Sequence, residues 1–178
     1  MNKFCIKLIG ILMISSFLGC ASSGTSSMPN VETTKQFKFS AVNFKFEQLI
    51  TPGITYHTEK ELETLLNNRI TTLLQEKGLL SKQESMNTLN ISAFYQRRFV
   101  GDATPIPSDS LAPPRYAYKI EVLDGSTVIK SVERKDLIFK GGMVMNVKIL
   151  TGSLRDKKDE LGFIDALATG IVEEIEDM

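Results

Sequence analysis

The 178 residues carry 21 Lys or Arg against 21 Asp or Glu, with one His, two Cys and no Trp, which suffices for one domain with a real core and falls short of two ordinary ones. A hydrophobic share of 42% beside 24% charged residues excludes a wholly disordered chain and a cysteine-stapled miniprotein. A formal charge of zero argues against nucleic acid as a partner, because binding it needs an excess of Lys and Arg to displace phosphate counterions.

Lys3 and Lys7 lead into an apolar run, Leu8 to Leu18, whose only polar members are Ser15 and Ser16. This is the layout of a secretory signal peptide, and its eleven residues fall short of the roughly 18 to 20 that a spanning helix requires. The four residues that close it, Phe17-Leu18-Gly19-Cys20, resemble the lipobox of bacterial lipoproteins, in which the Cys after a small residue is acylated and becomes the mature N-terminus. Phe17 and Leu18 stand where that family prefers Leu and a small residue. The resemblance implies a signal peptide over 1–19, lipidation of Cys20 and a membrane attachment through N-terminal acyl chains. The alternative is an ordinary cysteine near the cleavage site of a soluble secreted protein. In the enterobacterial sorting rule an Asp after the lipidated Cys favours inner-membrane retention; Ala21 stands there, so the expected location is the outer membrane, with the domain facing the periplasm.

On this reading Cys5 leaves with the signal and Cys20 carries lipid, so no thiol remains for a disulfide, a metal or a nucleophile. Removal of Lys3 and Lys7 leaves 19 basic residues against 21 acidic ones. Residues 20–35 then form the lipidated Cys and a tether: from Ala21 to Lys35, seven of fifteen residues are Ser or Thr, and such a coil holds the domain roughly 20 Å from its lipid. The folded unit is expected over 36–178.

In chain order, Phe37 to Phe46 predicts a strand whose apolar phase changes at Ala41-Val42, the pattern of an interior strand or a bulge. Thr58-Glu59-Lys60-Glu61 is a capping box, followed by Leu62, Leu65, Leu66, Ile70, Leu73 and Leu74 at helical steps, with Gly78 as a left-handed stop and Lys77 near the carboxyl end of the dipole. Leu89 to Phe99 alternates as a strand with one mainly buried face and Phe94 on the polar side. Gly101 to Arg115 holds four of the six prolines and is expected to be a loop. Tyr116 to Leu123 and Thr127 to Phe139 predict a hairpin turned at Asp124-Gly125. Met143 to Leu150 reads as a further strand, and an amphipathic helix follows from about Asp156, with Gly162 and Gly170 lowering its propensity.

This order predicts an α+β fold: a two-layer sandwich with a three- to five-stranded mixed sheet and two helices on one face. The order and the Arg69 to Gly78 segment, RITTLLQEKG, are similar to small periplasm-facing lipoproteins of Gram-negative bacteria with a βαββα outline. The resemblance implies a compact envelope domain and brings no catalytic residues with it.

Few residues offer chemistry. His57 is the only imidazole, which excludes a two-histidine metal site; its position before the Thr58 cap is that of a residue leading into a helix. Twelve glycines form neither a P-loop nor a dinucleotide fingerprint. Asp156, Asp159 and Glu160 with Lys157 and Lys158 read as the solvated start of the last helix rather than a cation site. No cofactor or metal is expected. The richest region is Tyr95-Gln96-Arg97-Arg98-Phe99 running into the Pro-rich loop. Tyr95, Arg97, Arg98, Asp102, Asp109 and Arg115 are the candidate partner-binding residues, the competing reading being an Arg-carboxylate pair that pins the loop to its own sheet. The expected function is a non-enzymatic, lipid-anchored binding or scaffold module for another envelope protein. The alternative is a carrier of a small hydrophobic ligand held between helices and sheet, lined by the Phe-rich first strand with Met143 and Met145. A hydrolase using His57 or one carboxylate is the third reading.

Overall fold

The phase change in the first strand is a bulge. The computed structural model describes residues 35–83, 86–140 and 142–178, so the signal peptide, Cys20 and all but the last residue of the tether lie outside the described residues. Strand β1, Lys38–Gln48, pairs in parallel with β2, Thr88–Phe99, and their register shifts between Phe39 and Val42. At the bulge the Val42 N–H leaves the ladder and donates to Asn67 Oδ1 at 2.7 Å, so the extra residue gains a hydrogen bond to the crossover helix. β1 is an edge strand, not an interior one, in a four-stranded sheet of order β1-β2-β3-β4.

Helix α1, Glu59–Glu76, starts as the capping box requires, with the Thr58 side chain and Glu61 closing both halves of it. It buries Leu62, Leu66, Ile70, Leu73 and Leu74. Gly78 stops it at φ +66°, where a side chain would be strained. Lys77 does more than sit near the dipole: its ammonium meets Glu176 at 2.6 Å and ties the end of α1 to the end of the last helix.

The Pro-rich segment is only partly a loop. Strand β3 runs Leu111–Asp124, antiparallel to β2, which corrects the expectation that residues up to Arg115 stay out of the sheet. Ala112 pairs with Arg98 and Arg115 with Gln96, so Pro113 and Pro114 fall opposite Arg97 in a register break. A bulge is where a strand can spare the N–H that proline lacks. The hairpin to β4, Thr127–Ile138, pairs Asp124 with Thr127 and turns through Gly125 at φ +59° and Ser126, one residue later than the predicted turn.

Met143–Leu150 is not a strand. It forms helix α2, with Met145 and Ile149 packed on the core and none of its residues fully buried. A single turn of 3-10 helix, Lys157–Glu160, leads into α3, Leu161–Glu176. The fold is the expected α+β sandwich with a mixed sheet. α1 and α3 pack on each other and on one sheet face, where Ile91, Ala93, Tyr95, Tyr118, Ile120 and Val122 point. The other face is turned to solvent.

Gly170 lies in α3 against β3, and a Cβ there would sit 3.9 Å from the Tyr118 hydroxyl, an ordinary van der Waals contact. Gly170→Ala is therefore expected to stabilise the domain by about 0.5–1 kcal/mol through reduced backbone entropy. A urea titration checks it, and a loss of stability would show that the helix cannot take the methyl group.

Candidate functional site

Alternation along β2 sends Tyr95, Arg97 and Phe99 to the helix side and Gln96 and Arg98 to the open side. Arg97 is only 4% exposed and Glu160, from the 3-10 turn, is fully buried. They form a forked pair: Arg97 Nε donates to Glu160 Oε1 at 2.6 Å and Nη2 to Oε2 at 3.0 Å. The same Nη2 donates to the His57 carbonyl at 2.5 Å, and Nη1 donates to Gln48 Oε1 at 2.8 Å. His57 Nδ1 lies 3.1 Å from Glu160 Oε2, and the Tyr95 hydroxyl lies 3.4 Å from Oε1. The guanidinium also stacks over Phe46, 4.7 Å from its centroid, and lies 5.5 Å from that of Tyr56. A planar fork with five donors is the side chain that can satisfy so many acceptors from one buried position.

Four segments meet at this cluster: the end of β1, the stretch before α1, β2 and the 3-10 turn. Burial and then the Glu160 charge push the Tyr95 phenol well above its usual range. Burial, Asp109 and Glu160 together push that of Tyr56 up to about 12. Both hydroxyls therefore stay neutral donors, Tyr56 to the Asp109 carbonyl at 2.7 Å and to the Leu154 carbonyl at 3.2 Å. This is the chemistry of a latch whose groups are occupied by one another. Two expectations are corrected here. Tyr95 and Arg97 do not face a partner, because the helix layer covers them. Glu160 is not part of a solvated helix start: Asp156 and Lys158 are exposed and Asp159 is half-buried, whereas Glu160 is fully buried.

The remaining candidates divide between two places. Arg98, on the open face, grips Asp102 with both nitrogens of its fork: Nη2 to Oδ1 at 2.7 Å, with a second bond from Nε to Oδ2. Asp102 also accepts the Phe99 N–H at 3.2 Å, so the pair pins the loop to β2. Arg115 shares this face through its pairing with Gln96 and adds its field at Asp102. Asp109 lies elsewhere, accepting the Gly53 N–H at 2.8 Å with Arg155 3.6 Å away. The pinning interpretation thus describes Arg98 and Asp102, whereas the six candidates do not form one surface.

The Arg98 bonds hold the Asp102 carboxyl below its usual range against the opposing effect of burial. A carboxylate depressed in the folded state gives stability that is complete above its unfolded pKa of about 3.9 and lost as pH falls through the folded value. Asp102→Asn should cost about 1–2 kcal/mol at pH 7 and flatten the fall in stability below pH 4. Urea midpoints of both proteins from pH 2.5 to 7 test this; parallel curves would mean that the pair contributes nothing.

The open face also holds a shallow depression of about 470 Å³ lined by Lys45, Ser92, Phe94, Ala117, Lys119 and Glu133 among others. Lys45 Nζ sits 5.5 Å from the Phe94 ring centroid, a cation–π contact that gives the exceptional Phe94 a neighbour on the polar side. Between helices and sheet, Leu66, Ile70, Tyr95 and Ile171 are fully buried and Phe46 stacks on Tyr95 at 6.4 Å, while a cleft of about 380 Å³ opens beside α3, lined by Tyr116, Tyr118, Leu137, Phe139, Leu167 and Gly170.

No family model and no curated protein matches the chain. Among solved structures, a Helicobacter pylori protein provisionally described as a neuraminyllactose-binding hemagglutinin homolog is similar at 12% identity and a TM-score of 0.34, covering 76% of this chain and 96% of its own. A second, described as an uncharacterized protein, is similar at 15% identity and a TM-score of 0.32, covering 80% and 95%. Likenesses of this size carry no argument about what the chain binds.

Proposed function

We propose that the chain is a non-enzymatic lipoprotein of the outer membrane, acylated on Cys20, whose periplasmic domain binds or scaffolds another protein of the cell envelope. The observation that carries the reading is the order Lys3, Lys7, apolar run, Phe17-Leu18-Gly19-Cys20 and Ser/Thr-rich tether. Support for the binding role comes from the open sheet face, with Arg98, Asp102 and Arg115 at one end of it and the Phe94 depression at its centre.

The anchor is tested on protein recovered from cells. The mature N-terminal peptide is expected to begin at Cys20 with a diacylglyceryl mass, and Cys20→Ser is expected to leave the membrane fraction. An unmodified Cys20, or a Cys20→Ser protein that stays in that fraction, would overturn the reading. For the partner, crosslinking in intact cells is compared between the native chain and Arg98→Ala with Asp102→Ala. Loss of one crosslinked protein with an unchanged circular dichroism spectrum supports this surface. Unchanged recovery places the partner elsewhere.

A further inference from the structure

Among the described residues, α2 carries four of the ten large hydrophobic side chains exposed to solvent. Met143 is 84% exposed and Leu150 86%, with Val144 and Val147 also open to solvent. At 100° per residue these four fill an arc of about 120°, bounded by Lys148 and Asn146, while Met145 and Ile149 on the opposite side hold the helix to the core. Leu161 at the start of α3 is exposed as well, as is Ile106 in the loop whose residues 101–104 line a cleft with Ile149 and Leu150. Exposed patches of this kind in a monomer mark an interaction surface. Along the sequence from Leu137 to Arg155 the chain holds Lys140, Lys148 and Arg155 and no acidic residue, but in space Lys148 lies 3.4 Å from Asp159, Arg155 3.6 Å from Asp109, and Asp102 lines the same cleft as Leu150.

We infer that α2 is a lipid-contact helix, its apolar side entering the headgroup region of the same membrane that holds the N-terminal acyl chains. The inference rests on the lipid-anchor reading above. One observation selects lipid over a second copy of the chain, and another shows that the contact is within reach. First, the eight-residue helix is only about 12 Å long, too small for the ~800 Å² per partner of a stable protein interface. A tethered domain already held at its membrane needs little further attraction to settle on it. Second, the tether reaches. It joins the domain at the start of β1, beside Leu80 and Thr88, whereas α2 lies beside Arg98 to Thr104 at the other end of β2. The twelve residues of β2 span about 40 Å, and the fifteen from Ala21 to Lys35 extend to about 50 Å, enough for either end of the sheet to meet the membrane.

The test uses the mature protein, in which Val147→Cys supplies a single reactive thiol once Cys5 is removed and Cys20 acylated. A nitroxide at 147 and, in a second protein, at Ser131→Cys on β4 is measured on vesicles of phosphatidylethanolamine and phosphatidylglycerol. At 147, collisions with an aqueous nickel chelate are expected to fall several-fold relative to 131 and collisions with oxygen to rise. The difference should be lost when Val144→Asp and Leu150→Asp are added. Equal accessibility at 147 and 131 overturns the inference, and so does protection of 147 that requires a second protein. Flotation and the mass of the mature N-terminus report the anchor separately. An unacylated Cys20 overturns the anchor reading and, with it, the contact that rests on it, whereas an acylated chain with an aqueous 147 overturns the contact alone.

Discussion

Glu160→Ala is expected to destabilise the domain by about 3–5 kcal/mol, because it leaves the Arg97 guanidinium buried without its counter-charge. Gln48 and the His57 carbonyl would remain as acceptors, and neither carries charge. The loss should exceed that of an exposed pair such as Arg69 with Asp165, 2.5 Å apart on the helix surface, where pairs are worth at most about 1 kcal/mol. The informative comparison is the double change Arg97→Met with Glu160→Leu. Removing both charges also removes the desolvation cost of both, so the double variant is expected to recover most of the loss. Urea titrations of the three variants measure it. A Glu160→Ala cost below about 1 kcal/mol would mean that water reaches Arg97 and that the cluster is not the buried junction described.

That junction explains which parts of the molecule can be read locally. The Thr58 capping box, the leucines of α1 and Gly78 are neighbours in sequence, so start, buried face and stop of that helix are all legible between residues 58 and 78. The phase change at Ala41-Val42 is legible in β1, but it fits an interior strand or a bulge equally, and only the strand's place at the sheet edge decides for the bulge. Glu160 is different. Its local context, DKKDE, is that of a solvated helix start, and what buries it is Arg97, 63 residues away. Nothing in either segment announces the other. Arg97 does carry one signal in hindsight: it occupies a buried-phase position in the alternation of β2, and a charge in that phase calls for a partner. Arg98 and Asp102, four residues apart, were legible as a pair. α2 failed for another reason. Eight residues, MVMNVKIL, are too few to separate periods of 2 and 3.6, and Val144, Val147 and Ile149 favour a strand. The docking of Met145 and Ile149 on the core decides for helix.

Leu66→Ala should cost about 2–5 kcal/mol, whereas Val144→Ser and Val147→Ser in α2 should each stay within about 0.5 kcal/mol of the native protein. Leu66 is fully buried where α1 meets the sheet and α3, so truncation removes its transfer free energy and leaves a cavity that close-packed neighbours cannot refill. Val144 and Val147 are as apolar, but water already reaches them, and a hydroxyl in their place gives up almost no burial. The contrast separates two causes of hydrophobic residues in one small domain. Those of α1 are present because the fold needs them; those on the outer side of α2 contribute nothing to the folded state that urea can detect. If either serine variant lost 2 kcal/mol or more, α2 would be packed against something in the free protein and its apolar side would not be available to a membrane. If both are neutral and Leu66→Ala is not, the fold does not account for those valines, and their effect has to be sought in contacts outside the domain.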